Sequence, residues 1–377
     1  MNDPKRTVFK QLGIAAARLL DIATTGGIVT ALYETAVPVG RALWEFVSEP
    51  HGLNWDLPYS QVYRNDLDRL LSIKIADDEK AVLPQIPTFL PGPEFDDQIV
   101  RLELDEPDFK ARARVSEVLD FHKRHASNKI FHDGENARLL NANSEAFRFQ
   151  GCSYFDYIST NLALDCPLPV GESLREQIHG NGRLDPLSDS VLANSTGING
   201  LVFSSDGQMI FQHRRKNVLI RPGEMCPGFS GTIDKKDISD ALLRGGRLFH
   251  LDAPREMVEE LGVTSDAIAD LRFLGVTREL IRGGAPEFFY AVDLDISAEQ
   301  VLTAFPRDRE GDKIAIPFGA LGRTLIKKAF PPSDQIKLFS VLKRLKPHLP
   351  AKMSVPLLTN LVLWQRMNSP HDSTELC

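Results

Sequence analysis

The stretch "REMVEELGV" at residues 255–263 decides how the chain is read. Three glutamates and one arginine are set among apolar residues, and Gly262 closes the run. Read as a helix over 253–261, it takes Asp252 as its cap and tolerates Pro254 in the first turn. Gly262 suits the left-handed conformation at a helix C-terminus. Glu256, Glu259 and Glu260 then stand at i, i+3 and i+4 and share one face. Met257 and Leu261 form an apolar stripe for packing on a sheet, and Arg255 lies one turn before Glu259 and pairs with it. Carboxylates crowded on one face repel each other, at a cost that grows with burial. A hard divalent cation removes the conflict, because Mg2+ takes oxygen ligands and bridges carboxylates to phosphates. The plain alternative is a solvated acidic helix end.

The rest of the chain sets the limits. Its 377 residues, 42% hydrophobic and 25% charged, predict a soluble globular protein of two or three domains. A net charge of -7 excludes a broad basic footprint for nucleic acid. The four cysteines, Cys152, Cys166, Cys226 and Cys377, form no CxxC pair. They predict a reducing, cytoplasmic location rather than a disulfide framework. Residues 12–47 are mostly apolar but are broken by Arg18, Asp21, Glu34 and Arg41. A membrane span needs about 20 apolar residues with few charges. The segment therefore predicts amphipathic helices that pack on the body or on a partner, with docking on a membrane surface as the lesser alternative.

Composition divides the chain into four parts. Residues 1–90 read as a mainly helical region, bounded by the proline-rich "VLPQIPTFLPGPEFD" at 82–96, a linker or extended connection. Residues 91–190 read as an α+β segment that precedes or packs on the main domain. Within it, "QIVRLEL" alternates like a strand and "DFKARARVSEVLDFHKRHAS" reads as helix. Residues 191–330 form the main domain. There "INGLVFS" and "QMIFQHR" are strands joined by a tight turn containing Asp-Gly. The stretch "LRFLGVTRELIRGGAPEFFYAVDLD" at 271–295 is β-rich, and its Phe288, Phe289 and Tyr290 read as strand core. Residues 331–377 carry C-terminal helical signals, one starting on Ser333 and one over "VPLLTNLVLWQRM".

The full acidic pattern is Arg-Glu-apolar-x-Glu-Glu-x-Gly-apolar. A chance match in a chain of this length is about one in ten thousand. It resembles the second half of the Nudix box, and the hairpin before it and the strands after it resemble the flanks of a Nudix domain over about 195–300. The resemblance implies a mixed β-sheet sandwiched by helices, α/β/α. It also implies a Mg2+- or Mn2+-dependent hydrolase that cleaves the diphosphate of a nucleoside diphosphate linked to another group, as in nucleotide sugars, ADP-ribose or dinucleotides. By position, Glu256, Glu259 and Glu260 resemble the metal-binding and catalytic glutamates, Arg255 the arginine that orients one of them, and Gly262 the glycine that ends the helix.

The first half of the box departs from the family. Its glutamate position holds Arg247 and its glycine position holds Ala241. The nearest suitable glycine is Gly231 in "FSGTID", which implies about ten extra residues in a loop, "KKDISDALLRGGRLFHLD". Asp234, Asp237 and Asp252 are candidates for the missing carboxylate. Arg221 is a candidate bidentate donor to a diphosphate, and Glu287 a candidate for substrate recognition. Set against the enzyme is a second expectation, a Nudix-fold nucleotide-binding or regulatory module with weak catalysis. Its N-terminal region would then serve self-association or a protein partner.

Overall fold

The computed structural model describes residues 62–76, 79–92, 94–96, 100–111, 133–165, 173–215, 221, 223–245, 253–306, 311–317 and 353–367. The helices expected at 12–47, 108–127 and 333–346 lie wholly or mostly outside them, as does Asp252.

An eight-stranded mixed sheet organises the described chain. Strands β7 (Gly197–Phe203) and β8 (Gln208–Arg214) form the expected hairpin, its turn at Ser205 and Asp206. β11 (Ile268–Glu279) and β12 (Ala285–Leu294) form a second antiparallel pair. β12 lies parallel to β7, from Glu287 opposite Gly197 to Asp293 opposite Phe203. β13 (Gly311–Pro317) extends the sheet beyond β8, while β9 (Met225–Cys226) and β10 (Phe229–Thr232) pair with β8 and β7.

Side chains alternate along these strands, so each strand feeds two cores. Ile198, Val202, Phe288, Tyr290 and Val292 face one side. Leu201, Phe203, Phe289 and Ala291 face the other. Helix α6 (Val355–Met367) covers the second face with Leu357, Leu358, Leu361 and Trp364. Phe288, Phe289 and Tyr290 are buried core, as expected for a strand interior.

The first face departs from a simple helical layer. A three-stranded sheet packs there, in the order β4 (Arg101–Asp105), β6 (Ala146–Ser153), β5 (Glu135–Ala142). Phe147 and Phe149 of β6 meet the Phe288 ring at 5.5 and 6.0 Å between centroids. After the short helices α1 (Tyr154–Ser159) and α2 (Leu174–His179), helices α3 (Lys235–Leu243) and α4 (Ala253–Leu261) share this core through Ile238, Met257 and Leu261. Aromatic side chains projecting from facing strands fill the gap that a helix would otherwise fill. The sandwich is thus helix, sheet, and a mixed layer of sheet and helices.

Two expectations are corrected by long-range pairing. The described part of 1–90 is mainly strand: β1 (Ser72–Ala76), β2 (Glu79–Val82) and β3 (Gln85–Phe89). β3 is not a linker but the sheet's edge strand on β11. Pro87 is tolerated there because an edge strand can leave one side of its backbone unpaired. The extra residues before the acidic segment are not all loop, since they hold α3. Asp234 and Asp237 form its capping box, with Asp237 accepting the Asp234 N–H at 3.0 Å. Among the described residues no helix is long and apolar enough to cross a membrane.

The Phe288 ring joins the two sheets, which predicts that they unfold together. Phe288→Ala should lower stability by about 3–5 kcal/mol. Urea titration followed by fluorescence and circular dichroism should show one coincident transition at a lower midpoint. Two separated transitions would refute the shared core.

Candidate functional site

Helix α4 is wound in two ways. Ala253–Glu256 form an α turn and Met257–Leu261 a π turn, in place of a uniform α-helix. Gly262 ends it at φ +69°, as its sequence position implied. A Cβ at Gly262 would come within 2.6 Å of the Phe305 carbonyl, so neither the conformation nor the space admits a side chain. Lys313 of β13 donates to the Leu261 carbonyl at 3.1 Å and to the Ala304 carbonyl, at the end of α5 (Ala298–Thr303), at 2.7 Å. That contact ties two helix ends to the sheet.

The polar side of α4 rests on β10. The Glu256 carboxyl lies where Gly231 has no side chain, and a Cβ at 231 would stand 2.1 Å from it. Arg255 joins two of the glutamates: Nη2 donates to Glu256 Oε1 at 2.9 Å and Nη1 to Glu259 Oε2 at 2.5 Å. Asp237 and Asp234 stand 3.6 and 3.8 Å from the same guanidinium, so the two aspartates face the arginine from their cap. Glu260 turns toward the strands, where its Oε2 accepts the Ser230 N–H at 2.6 Å and the Gln212 amide at 3.0 Å. Glu256 and Glu260 are buried, and Glu259 is the most exposed of the three. Among the described residues, no three acids, histidines or cysteines are gathered at a spacing that would hold a metal ion. The donors are nonetheless carboxylate oxygens, the type a hard cation takes. Arg255 already bridges two of them with positive charge.

A second cluster lies on the opposite face of the same strands. Arg221 and Glu287, both singled out in the sequence, meet at 3.4 Å. Arg221 also donates to Glu279 at 2.7 Å, and it holds φ +52°, a conformation that costs a non-glycine residue about 1–3 kcal/mol. Arg282 approaches Glu279 at 3.4 Å and Glu287 at 3.8 Å, and donates to the Tyr157 hydroxyl at 3.4 Å. Gln85 of β3 donates to Glu287 at 3.3 Å. The two candidates are thus partners of each other in a buried network, not open donors. Burial, then the Glu279 charge beside it, pushes the Glu287 pKa up to about 7. Glu279, Arg282, Tyr157 and Gln85 were missed in the sequence. The signal for the first two was present: "TRELIRGGAPE" sets charges inside an otherwise apolar strand pair.

No family model and no curated protein matches the chain. Among solved structures, it is similar to DR0079 from Deinococcus radiodurans, at 19% identity and a TM-score of 0.25 over 39% of this chain and 82% of that one. It is also similar to a Nudix hydrolase from M. smegmatis, RenU, at 12% identity and a TM-score of 0.22 over 41% of this chain and 86% of that one.

The Glu287 proton gives a pH signature. The folded chain keeps it to about pH 7, whereas the unfolded chain releases it near the ordinary 4.5. The folded state therefore binds the extra proton, and its advantage is lost as pH rises from 4.5 through 7. Thermal midpoints of the wild type should fall across that window. Glu287→Gln should flatten the fall, and an unchanged slope in the variant would assign it to another group.

Proposed function

We propose that the chain is a Nudix-type hydrolase of phosphoanhydride bonds, acting with Mg2+ or Mn2+ on a nucleoside diphosphate linked to another moiety. The observation that carries this reading is Gly231 beneath Glu256. The two belong to separate halves of the resembled box and are 25 positions apart in sequence. α3 occupies part of that interval without separating them in space. Close backbone approach under a carboxylate is what a glycine supplies at such a point.

In this reading Glu256, Glu259 and Glu260 hold the cation, which when bound polarises the diphosphate and lowers the pKa of an attacking water. Arg255 sets the orientation of Glu256 and Glu259 through its two ion pairs. Met257 and Leu261 fix the helix by burial, so the carboxylates stand on a rigid element. Glu259, the most exposed of the three, is the group best placed to take a proton from water.

One observation favours the second reading, a binding module. Glu260 is a structural acceptor here, holding the Ser230 amide and Gln212 together. A chain that keeps its glutamates for such contacts retains the pattern without catalysis.

The deciding experiment presents the full chain with ADP-ribose, nucleotide sugars, dinucleotides, coenzyme A and nucleoside triphosphates, with Mg2+ or with Mn2+. The hydrolase reading predicts metal-dependent cleavage of the phosphoanhydride bond in one class, with release of its nucleotide half. Glu259→Gln should lower kcat about a hundredfold or more. Nucleotide binding without cleavage under either metal would establish the binding module. Gly231→Ala should act on the same site, because its Cβ must displace Glu256. A variant with unchanged fold and unchanged kcat would remove Gly231 and Glu256 from the mechanism.

A further inference from the structure

Arg255 faces more acids than it can bond. Its Nη2 donates to Glu256 at 2.9 Å and to the Thr232 carbonyl of β10 at 3.3 Å, while Nη1 donates to Glu259 at 2.5 Å. The same Nη2 also faces Asp237 and Asp234 of the α3 cap, at 3.6 and 3.8 Å, too far for a hydrogen bond. Four carboxylates, counted among the described residues, thus crowd one guanidinium. An Nη nitrogen carries two protons, and here both are engaged. Nη2 can bond an aspartate only by giving up one of its present acceptors. The aspartates lie less than an ångström farther than Glu256.

The aspartates are held where they stand. Asp237 accepts the Asp234 N–H at 3.0 Å within the capping box. One residue earlier, the Ile233 carbonyl accepts the Ala137 N–H of β5 at 2.8 Å, which pins the cap to the three-stranded sheet. The arginine is the mobile partner. Its side chain is 33% exposed, and a long flexible stem carries the guanidinium. α3 fills the interval where the resembled box has its first glutamate, so the insertion delivers two carboxylates to the arginine of the second half.

We propose that Arg255 Nη2 exchanges Glu256 for Asp237 when Glu256 takes a divalent cation, while Nη1 keeps Glu259. Asp237 is then a positioning residue that acts through Arg255. A carboxylate that ligates a cation is a poorer acceptor for an arginine, and the two positive charges repel each other. Without another acid nearby, loading the site would cost Arg255 an ion pair. Asp237 offsets that loss. It suits the role better than Asp234, because it is nearer and its side chain is 14% exposed against 44%, so solvent screens the pair less. The inference rests on the hydrolase reading and gives the insertion a part in loading the cation.

The test titrates Mn2+ into the full chain without nucleotide and reads the free ion by electron paramagnetic resonance. Asp237→Asn keeps an oxygen for the Asp234 N–H and removes only the charge. It should weaken Mn2+ binding about tenfold. In an Arg255→Gln background the same change should cost less than about twofold, because no guanidinium is left for Asp237 to receive. Circular dichroism checks folding. If Arg255→Gln does not fold, Arg255→Lys replaces it with the same expectation, since an ammonium lacks the fork that spans Glu259 and Asp237. An equal loss in both backgrounds would make Asp237 a direct ligand or a remote charge and overturn the exchange, with the hydrolase reading intact. An affinity unchanged in Asp237→Asn would do the same. No Mn2+ binding by the wild type, or binding untouched by Glu256→Gln, would overturn the exchange and the hydrolase reading together.

Discussion

β7 and β12 run parallel over seven residue pairs, and a parallel pair leaves no face free for water. Ile198, Val202 and Phe288 require cover on one side, Leu201 and Phe289 on the other. α6 supplies the second cover although some sixty residues separate it from β12. The three-stranded sheet, α3 and α4 supply the first. This requirement fixes α4 against β10 and so sets where its glutamates stand. Without the apolar seam, three carboxylates and an arginine have no reason to hold one arrangement.

Where the seam runs out, charge takes over. Gly197 and Glu287 face each other at the N-terminal ends of β7 and β12, and Gly231 stands beside Ile198, the next residue of β7. Each glycine lies under an acid. Glu256 occupies the space at Gly231, and the Glu287 side chain would stand 3.3 Å from a Cβ at Gly197. Alternation puts the two acids on opposite faces of one strand end. Each is held by arginine: Glu256 by Arg255, and Glu287 by Arg221 and Arg282. An acid buried there without its cation would carry a large desolvation cost. The two faces thus solve the same electrostatic problem with the same pair of residue types.

What the sequence revealed was local. The hairpin β7–β8 was legible because Asp-Gly stands between two strand-like runs within eighteen residues. The end of α4 was legible because a single glycine carries it. Gly231 was legible only through the resemblance. What stayed hidden rests on distance or on register. β3 was masked by its prolines, which mark an edge strand as readily as a linker. α3 was masked because its residues were counted as an interruption of the motif, although Asp234 caps it and "KKDISDALL" carries its own apolar positions. The π turn leaves no mark in an apolar period. The pairing of Arg221 with Glu287 spans 66 positions, and no local pattern announces it.

The π turn bears on the glutamates directly. A uniform α-helix places i, i+3 and i+4 on one stripe, and all three carboxylates would then look the same way. In the π turn, hydrogen bonds run to the fifth residue and the later side chains rotate back about the axis. Glu256 and Glu260 consequently both reach β10, at Gly231 and Ser230, while Glu259 turns to Arg255 and toward solvent. One acid is thereby separated from two that the sheet holds. Division of labour among identical residues needs such a difference in surroundings, because chemistry alone cannot distinguish one glutamate from another. The winding of one helical turn, rather than the spacing of the motif, assigns their separate positions.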